Sequence, residues 1–172
     1  LNDLRLPVCA IMKSTLAIGV NVSSPVKPVY LDVCALCRPF DDQTRMRIRL
    51  EAAAVQLILS HVRTADLMLV VSPVRDVEIA AIPDATEREY LVHLLRQAGQ
   101  RISANLNEVR ARAELLVTQG LGPADAAHVA FAESASAGFV TCDDRLLRQC
   151  RRLAVQCWYG TPLALCEKEN LQ

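Results

Sequence analysis

Three short apolar runs, "VYLDVCAL" at 29–36, "DLMLVVSP" at 66–73 and "GFVTC" at 138–142, are separated by long stretches with no hairpin turn between them. Runs of this kind suit strands covered on both faces, and strands that cannot pair through a tight turn must be joined by crossovers. The intervening segments are helical in pattern. After the first run, Leu50, Ala53, Ala54, Leu57, Ile58 and Val62 fall on one helical face. Ser72 and Pro73 suit an N-cap and a first helical position, which places Glu78 on the helix that follows. Further helices are predicted over 84–98 and 105–119, ended by Gly99 and Gly120, and over "GPADAAHVAFAESASA" with Pro123 in its first turn. A helix over "DDRLLRQCRR" and a last strand over "LAVQCWY" complete the pattern. Strand and helix alternate throughout, which is the signature of an α/β domain with a mostly parallel sheet.

At 172 residues the chain fits one ordinary domain. "SSPVKP" at 23–28 is the strongest early punctuation, so the domain is expected to span 28–166, with 1–27 as an extension and 167–172 as a tail. Within the extension, "LPVCAIMKSTLAIGV" also reads as a weak signal-peptide core, interrupted by Lys13 and too short to span a bilayer. Nineteen basic and nineteen acidic residues balance, so no net field advertises nucleic acid and charge must act locally. Lysine occurs only at 13, 27 and 168. The arginine bias suits bidentate phosphate contacts, and a genome rich in G and C gives the same bias. Seven cysteines, mostly beside apolar residues, read as reduced thiols in a cytoplasmic protein, and "CALC" at 34–37 lacks the further ligands of a zinc site.

The acids carry the chemistry. Ligands of open parallel sheets bind beyond the carboxyl ends of the strands. Asp32 lies near the end of the first run, Asp143 and Asp144 directly follow "GFVTC", and Asp125 and Glu78 sit early in their helices, so all can reach one edge. Each has an ordinary reading as a cap, a helix-dipole partner or a solvated side chain. As a set they repel one another unless a cation fills the space, and an oxygen-only donor set favours magnesium or manganese. Metal-activated hydrolysis of a phosphodiester follows.

The segments "VYLDVCAL", "SPVRDVEIA" and "GLGPADAAHVAFAESASAGFVTCDDRLL" resemble the PIN-domain ribonucleases, a family that includes the toxins of VapBC-type toxin-antitoxin pairs. The resemblance covers 28 to about 165 and implies a three-layer α/β/α fold. It places Asp32, Glu78, Asp125 and Asp143 on the metal-binding acids and Thr141 on a supporting hydroxyl, with Asp144 able to replace or assist Asp143. It implies Mg²⁺- or Mn²⁺-dependent cleavage of RNA leaving a 5′-phosphate, and a homodimer. Arg38 and Arg145 are placed to meet substrate phosphate. His128, one turn after Asp125, is open to two readings: a base or ligand, or a residue that packs on its helix or bonds a neighbour.

A haloacid-dehalogenase-type phosphatase needs an acid where Cys34 stands and a later lysine that is missing, a receiver domain fails on the same lysine, and a P-loop hydrolase fails for want of a GK[ST]. The reading that remains beside the nuclease is a non-catalytic PIN-like module that binds RNA or protein. Admission of RNA to an acidic pocket requires positive groups on its rim, and the same geometry accepts an arginine from an antitoxin protein.

Overall fold

The computed structural model describes residues 26–172. The expectations for the extension therefore lie outside the described residues, except at Val26 and Lys27. Five strands form one sheet in the order β3-β2-β1-β4-β5, from β1 (Lys27–Leu31), β2 (Leu67–Val71), β3 (Gly99–Arg101), β4 (Gly138–Val140) and β5 (Tyr159–Gly160). All four pairings are parallel. Eight helices cover it: α1 (Val33–Leu36), α2 (Met46–Arg63), α3 (Pro73–Ala80), α4 (Ala85–Ala98), α5 (Leu106–Thr118), α6 (Pro123–Ser134), α7 (Asp144–Cys150) and α8 (Pro162–Glu169).

Strand alternation divides the core in two. Val29, Leu31, Leu69, Val71 and Val140 pack with Ile58 of α2, Leu91 of α4 and Leu165 of α8. Tyr30, Val70 and Phe139 point the other way, onto Val109 and Leu116 of α5, Val129 of α6 and Leu146 of α7. The result is the expected α/β/α sandwich. The chain builds outward from β1 to β3 and then returns to add β4 on the opposite side of β1. The β1/β4 seam is thus the place where the connections diverge and a crevice opens at the carboxyl edge.

Four local expectations need correction. The last strand is only Tyr159–Gly160, not "LAVQCWY", because the chain turns over 151–154 before it reaches the sheet edge. β3 was not foreseen: "GQR" has no apolar run, since an edge strand of three residues buries little. α8 was also not foreseen; it starts behind the Thr161 cap and Pro162, and the expected boundary at 166 falls inside it. On α2 the buried residues are Glu51, Ala52, Ala54, Val55, Ile58 and Leu59, while Leu50 is exposed. That face is rotated from the apolar one because it is completed by a charged residue, Glu51, with Arg38 and Arg47 on its two oxygens.

Candidate metal centre

Asp32 follows β1 directly and caps α1. Its extended backbone (φ −62°, ψ 155°) keeps the period of the strand, so its side chain shares the Tyr30 face of the sheet. Its Oδ1 accepts the Val33 N–H at 2.7 Å, and its Oδ2 accepts from the Thr141 hydroxyl at 2.8 Å and the Cys34 thiol at 3.0 Å. No cation touches it; neutral donors alone hold a carboxylate that is 7% exposed. Thr141 in turn accepts the Asp143 N–H at 3.1 Å, which ties the ends of β1 and β4 together across the seam.

Asp143 caps α7, its Oδ1 accepting from the N–H groups of Arg145 (2.7 Å) and Leu146 (3.1 Å). Its carboxylate is exposed at the mouth of the crevice. Asp125 is half-buried in the first turn of α6. Burial pushes its carboxyl pKa up, and Asp32, Asp143 and Glu78 push it the same way, with only His128 opposing. That is the electrostatic condition a bound cation relieves.

Glu78 reaches the group from α3, whose start is fixed by the Ser72 cap and Pro73. Its Oε2 lies 2.7 Å from His128 Nε2, and this hydrogen bond holds its carboxyl below the usual range against the opposing effect of burial. With Glu78 ionised, Nε2 donates. At the other ring nitrogen, Nδ1 lies 2.7 Å from the Tyr30 hydroxyl, and Tyr30 lies 2.6 Å from Ser72 Oγ. Arg75, fully buried, sets its guanidinium 4.0 Å above the Tyr30 ring and donates to Val70 O at 2.6 Å. Its Nε and Nη2 have no hydrogen-bond partner. Burial lowers its pKa, but a guanidinium stays charged, so a fixed cation lies behind the pocket.

The structure thus brings Asp32, Glu78, Asp125 and Asp143 to one edge. Among the described residues, the donors that come within 4.8 Å of one another are those of Asp32, Glu78 and His128. The set fits a divalent cation: two carboxylates in reach of one another, with a third whose carboxyl is driven toward neutrality. A cleft of about 450 Å³ beside β3, lined by Val71, Ile79, Leu95 and Arg101, contains none of the four acids. An ion needs converging donors, not volume.

Two expected supporting residues lie elsewhere. Arg47 grips Asp144 through both oxygens at 2.6 and 2.8 Å, which turns Asp144 away from Asp143. Arg38 is engaged by Asp41 and Glu51, each at 2.7 Å; its Nε pairs with Glu51 by charge without an aligned hydrogen bond. Arg145 remains exposed at the start of α7, beside Asp143. The residues that sequence reasoning missed are Tyr30, Ser72 and Arg75. Tyr30 carried a signal, since it stands two residues before Asp32 and so shares its face. The six described cysteines are free, and burial pushes the thiols of Cys142 and Cys157 up to about 12 and that of Cys150 up to about 11.

The PIN domain profile matches residues 29–152, well over half of the chain. No curated protein matches it in sequence. Among solved structures, FitAB bound to an IR36 DNA fragment contains a chain 17% identical to this one at a TM-score of 0.50, over 78% of this chain and 94% of that one. FitAcB from Neisseria gonorrhoeae matches at 16% identity and 0.48, over 78% and 98%. PAE2754 from Pyrobaculum aerophilum matches at 19% and 0.48, over 86% and 98%. Likeness at these identities speaks to fold alone. The profile match extends across the strands that carry Asp32 and Asp143 and the helices that carry Glu78 and Asp125, and on it this chain belongs to the PIN-domain family.

Proposed function

We propose that this chain is a metal-dependent endoribonuclease, with Asp32, Glu78, Asp125 and Asp143 as the residues that hold Mg²⁺ or Mn²⁺ and the span from β1 through α8 as the nuclease unit. The observation that carries the reading is the convergence of donors, with those of Asp32 and Glu78 within 4.8 Å of one another and of His128. A divalent ion bound there supplies positive charge against the scissile phosphate and lowers the pKa of an attacking water. The protein's own part is positional. Thr141, Cys34 and the Val33 N–H fix both oxygens of Asp32, the Asp143 carboxylate is aimed by the N-terminus of α7, and His128 sets the rotamer of Glu78. Arg145, exposed beside Asp143, is the cation placed to meet substrate phosphate.

The same reading extends to partners. Family membership makes a homodimer and an antitoxin protein that covers the acids part of the proposal, and FitAB offers the precedent of a related fold crystallised on DNA. Free, protonated thiols suit the cytoplasm, and no helix among the described residues is long and apolar enough to cross a membrane. Purified protein should cut single-stranded or structured RNA with MgCl2 or MnCl2 and fall silent in EDTA. Full cleavage after exhaustive chelation would overturn the reading. Light scattering over a dilution series tests the dimer, and repetition with the product of any adjacent small gene tests the partner.

A further inference from the structure

We propose that His128 is a nitrogen ligand of the metal site, acting through Nε2 beside Asp32 and Glu78, and that it biases the site toward manganese over magnesium. The inference rests on the metal-dependent reading above and adds an imidazole to a set that sequence spacing presents as oxygen alone.

The distances allow it. Nε2 lies 2.7 Å from Glu78 Oε2 and 4.0 Å from Asp32 Oδ1. Metal–ligand bonds of about 2.1 Å place neighbouring donors of an octahedron about 3 Å apart and opposite ones about 4.2 Å apart, so one ion spans both separations. The imidazole is 1% exposed and points into the group, so its nitrogen faces the acids and not solvent.

A second observation lies behind the ring. A ligating imidazole requires a bare Nε2 and a proton on Nδ1 that some acceptor holds. Tyr30 OH is that partner at 2.7 Å, and it can turn its own proton to Ser72 Oγ at 2.6 Å. Both hydroxyls serve as donor or acceptor, so the column accommodates either tautomer. Without an ion, Nε2–H donates to Glu78 and Nδ1 accepts from Tyr30; with one, the proton resides on Nδ1 and both Glu78 and Nε2 are free to bind. Arg75 stacked on Tyr30 and Ser72 at the α3 cap keep the column in place. Imidazole is a better donor to first-row transition ions than to Mg²⁺, which prefers oxygen and gives up its waters reluctantly.

The test is pulsed EPR on the full chain loaded with MnCl2. A coordinated imidazole gives ¹⁴N modulation in the electron-spin-echo envelope, and selective ¹⁵N-histidine labelling should replace it with the ¹⁵N pattern. His61 and His93 lie on α2 and α4, outside the group, so the signal reports His128. His128→Gln should remove the modulation, retain Mn²⁺ binding, and lower the ratio of Mn²⁺ to Mg²⁺ affinity about tenfold. Mn²⁺ bound to the wild-type chain with no histidine modulation would overturn the inference and leave the metal-dependent reading standing; no Mn²⁺ binding at all would overturn both. The wild-type spectrum decides even if the variant does not fold.

Discussion

Glu51 and Asp32 are both nearly inaccessible, 2% and 7% exposed, yet their surroundings are opposite. Glu51 carries a guanidinium on each oxygen, from Arg38 and Arg47, and Arg47 passes on to grip Asp144. That network contains its own countercharge. Asp32 is held by a hydroxyl, a thiol and a backbone N–H, with no guanidinium on either oxygen; Asp125 lies near it, and the buried Arg75 stands behind the group. The comparison separates acids matched by a countercharge from acids held by neutral donors. Burial alone does not separate them; the identity of the neutralising group does. Asp143 and Asp144, adjacent in sequence, fall on opposite sides of this division.

The largest expected effect concerns the un-neutralised group. Asp32→Asn and Asp143→Asn each keep a side-chain oxygen that can accept the capping hydrogen bond, so each removes charge while sparing the helix start. Both should lower RNA cleavage about a hundredfold or more in saturating Mn²⁺, as measured on a fluorogenic RNA. A near wild-type rate in either would break the division on the side of function.

Next in size is the neutralised group. Glu51→Ala strands Arg38 beside Asp41 and removes the link between the turn after α1 and α7. Breaking a buried pair from one side costs 3–5 kcal/mol, and the half-exposed Arg47 places this case at the lower end, about 3 kcal/mol. Urea denaturation in EDTA gives the number. A loss below about 1 kcal/mol would show that Glu51 contributes no more than a surface pair.

Asp125 gives a smaller effect of opposite sign. Its folded pKa is raised, so its contribution to stability is complete below the unfolded value and is lost as pH rises through the folded one. The metal-free protein should therefore weaken over that interval, and Asp125→Asn should abolish the weakening and stabilise the metal-free chain at neutral pH by about 1 kcal/mol or less, given its half exposure. Thermal melts in EDTA from pH 4 to pH 8 measure both. A destabilised Asp125→Asn chain would make Asp125 a paired, structural acid.

Much of the fold is legible in the sequence. β1, β2 and β4 are buried on both faces, so their apolar runs announce them; Ser72 and Pro73 mark the start of the helix that carries Glu78, and Asp143 is itself a cap. What escaped was structure whose cause is long-range. β3 and β5 are short edge strands specified by the pairing they complete, not by their own composition. The buried face of α2 includes Glu51, which an apolar template skips because it is charged; Arg47 stands one turn before it on α2, and Arg38 reaches it from outside the helix. His128 bonds a neighbour, and that neighbour is Glu78, 50 residues away in sequence. Arg75 gives no local sign of being buried; only the Tyr30 ring and the Val70 carbonyl explain it.

The smallest expected effect falls on Asp144, and it tests the comparison most finely. Arg47 grips both of its oxygens, but both side chains are about half exposed, at 54% and 51%. Solvent screens such a pair, and Asp144→Asn leaves Arg47 its bond to Glu51, so the loss should be about 0.5 kcal/mol and should vanish in 1 M NaCl. The pH dependence is opposite to that of Asp125. The Arg47 hydrogen bond holds the Asp144 carboxyl low, so its stabilisation is present above the unfolded pKa and fades as pH falls through the folded one. RNA cleavage by Asp144→Asn should match wild type while its neighbour's variant is silent. If Asp144→Asn loses cleavage as Asp143→Asn does, at full stability, then an acid already matched by an arginine takes part in the chemistry, and neutralisation no longer sorts the two groups.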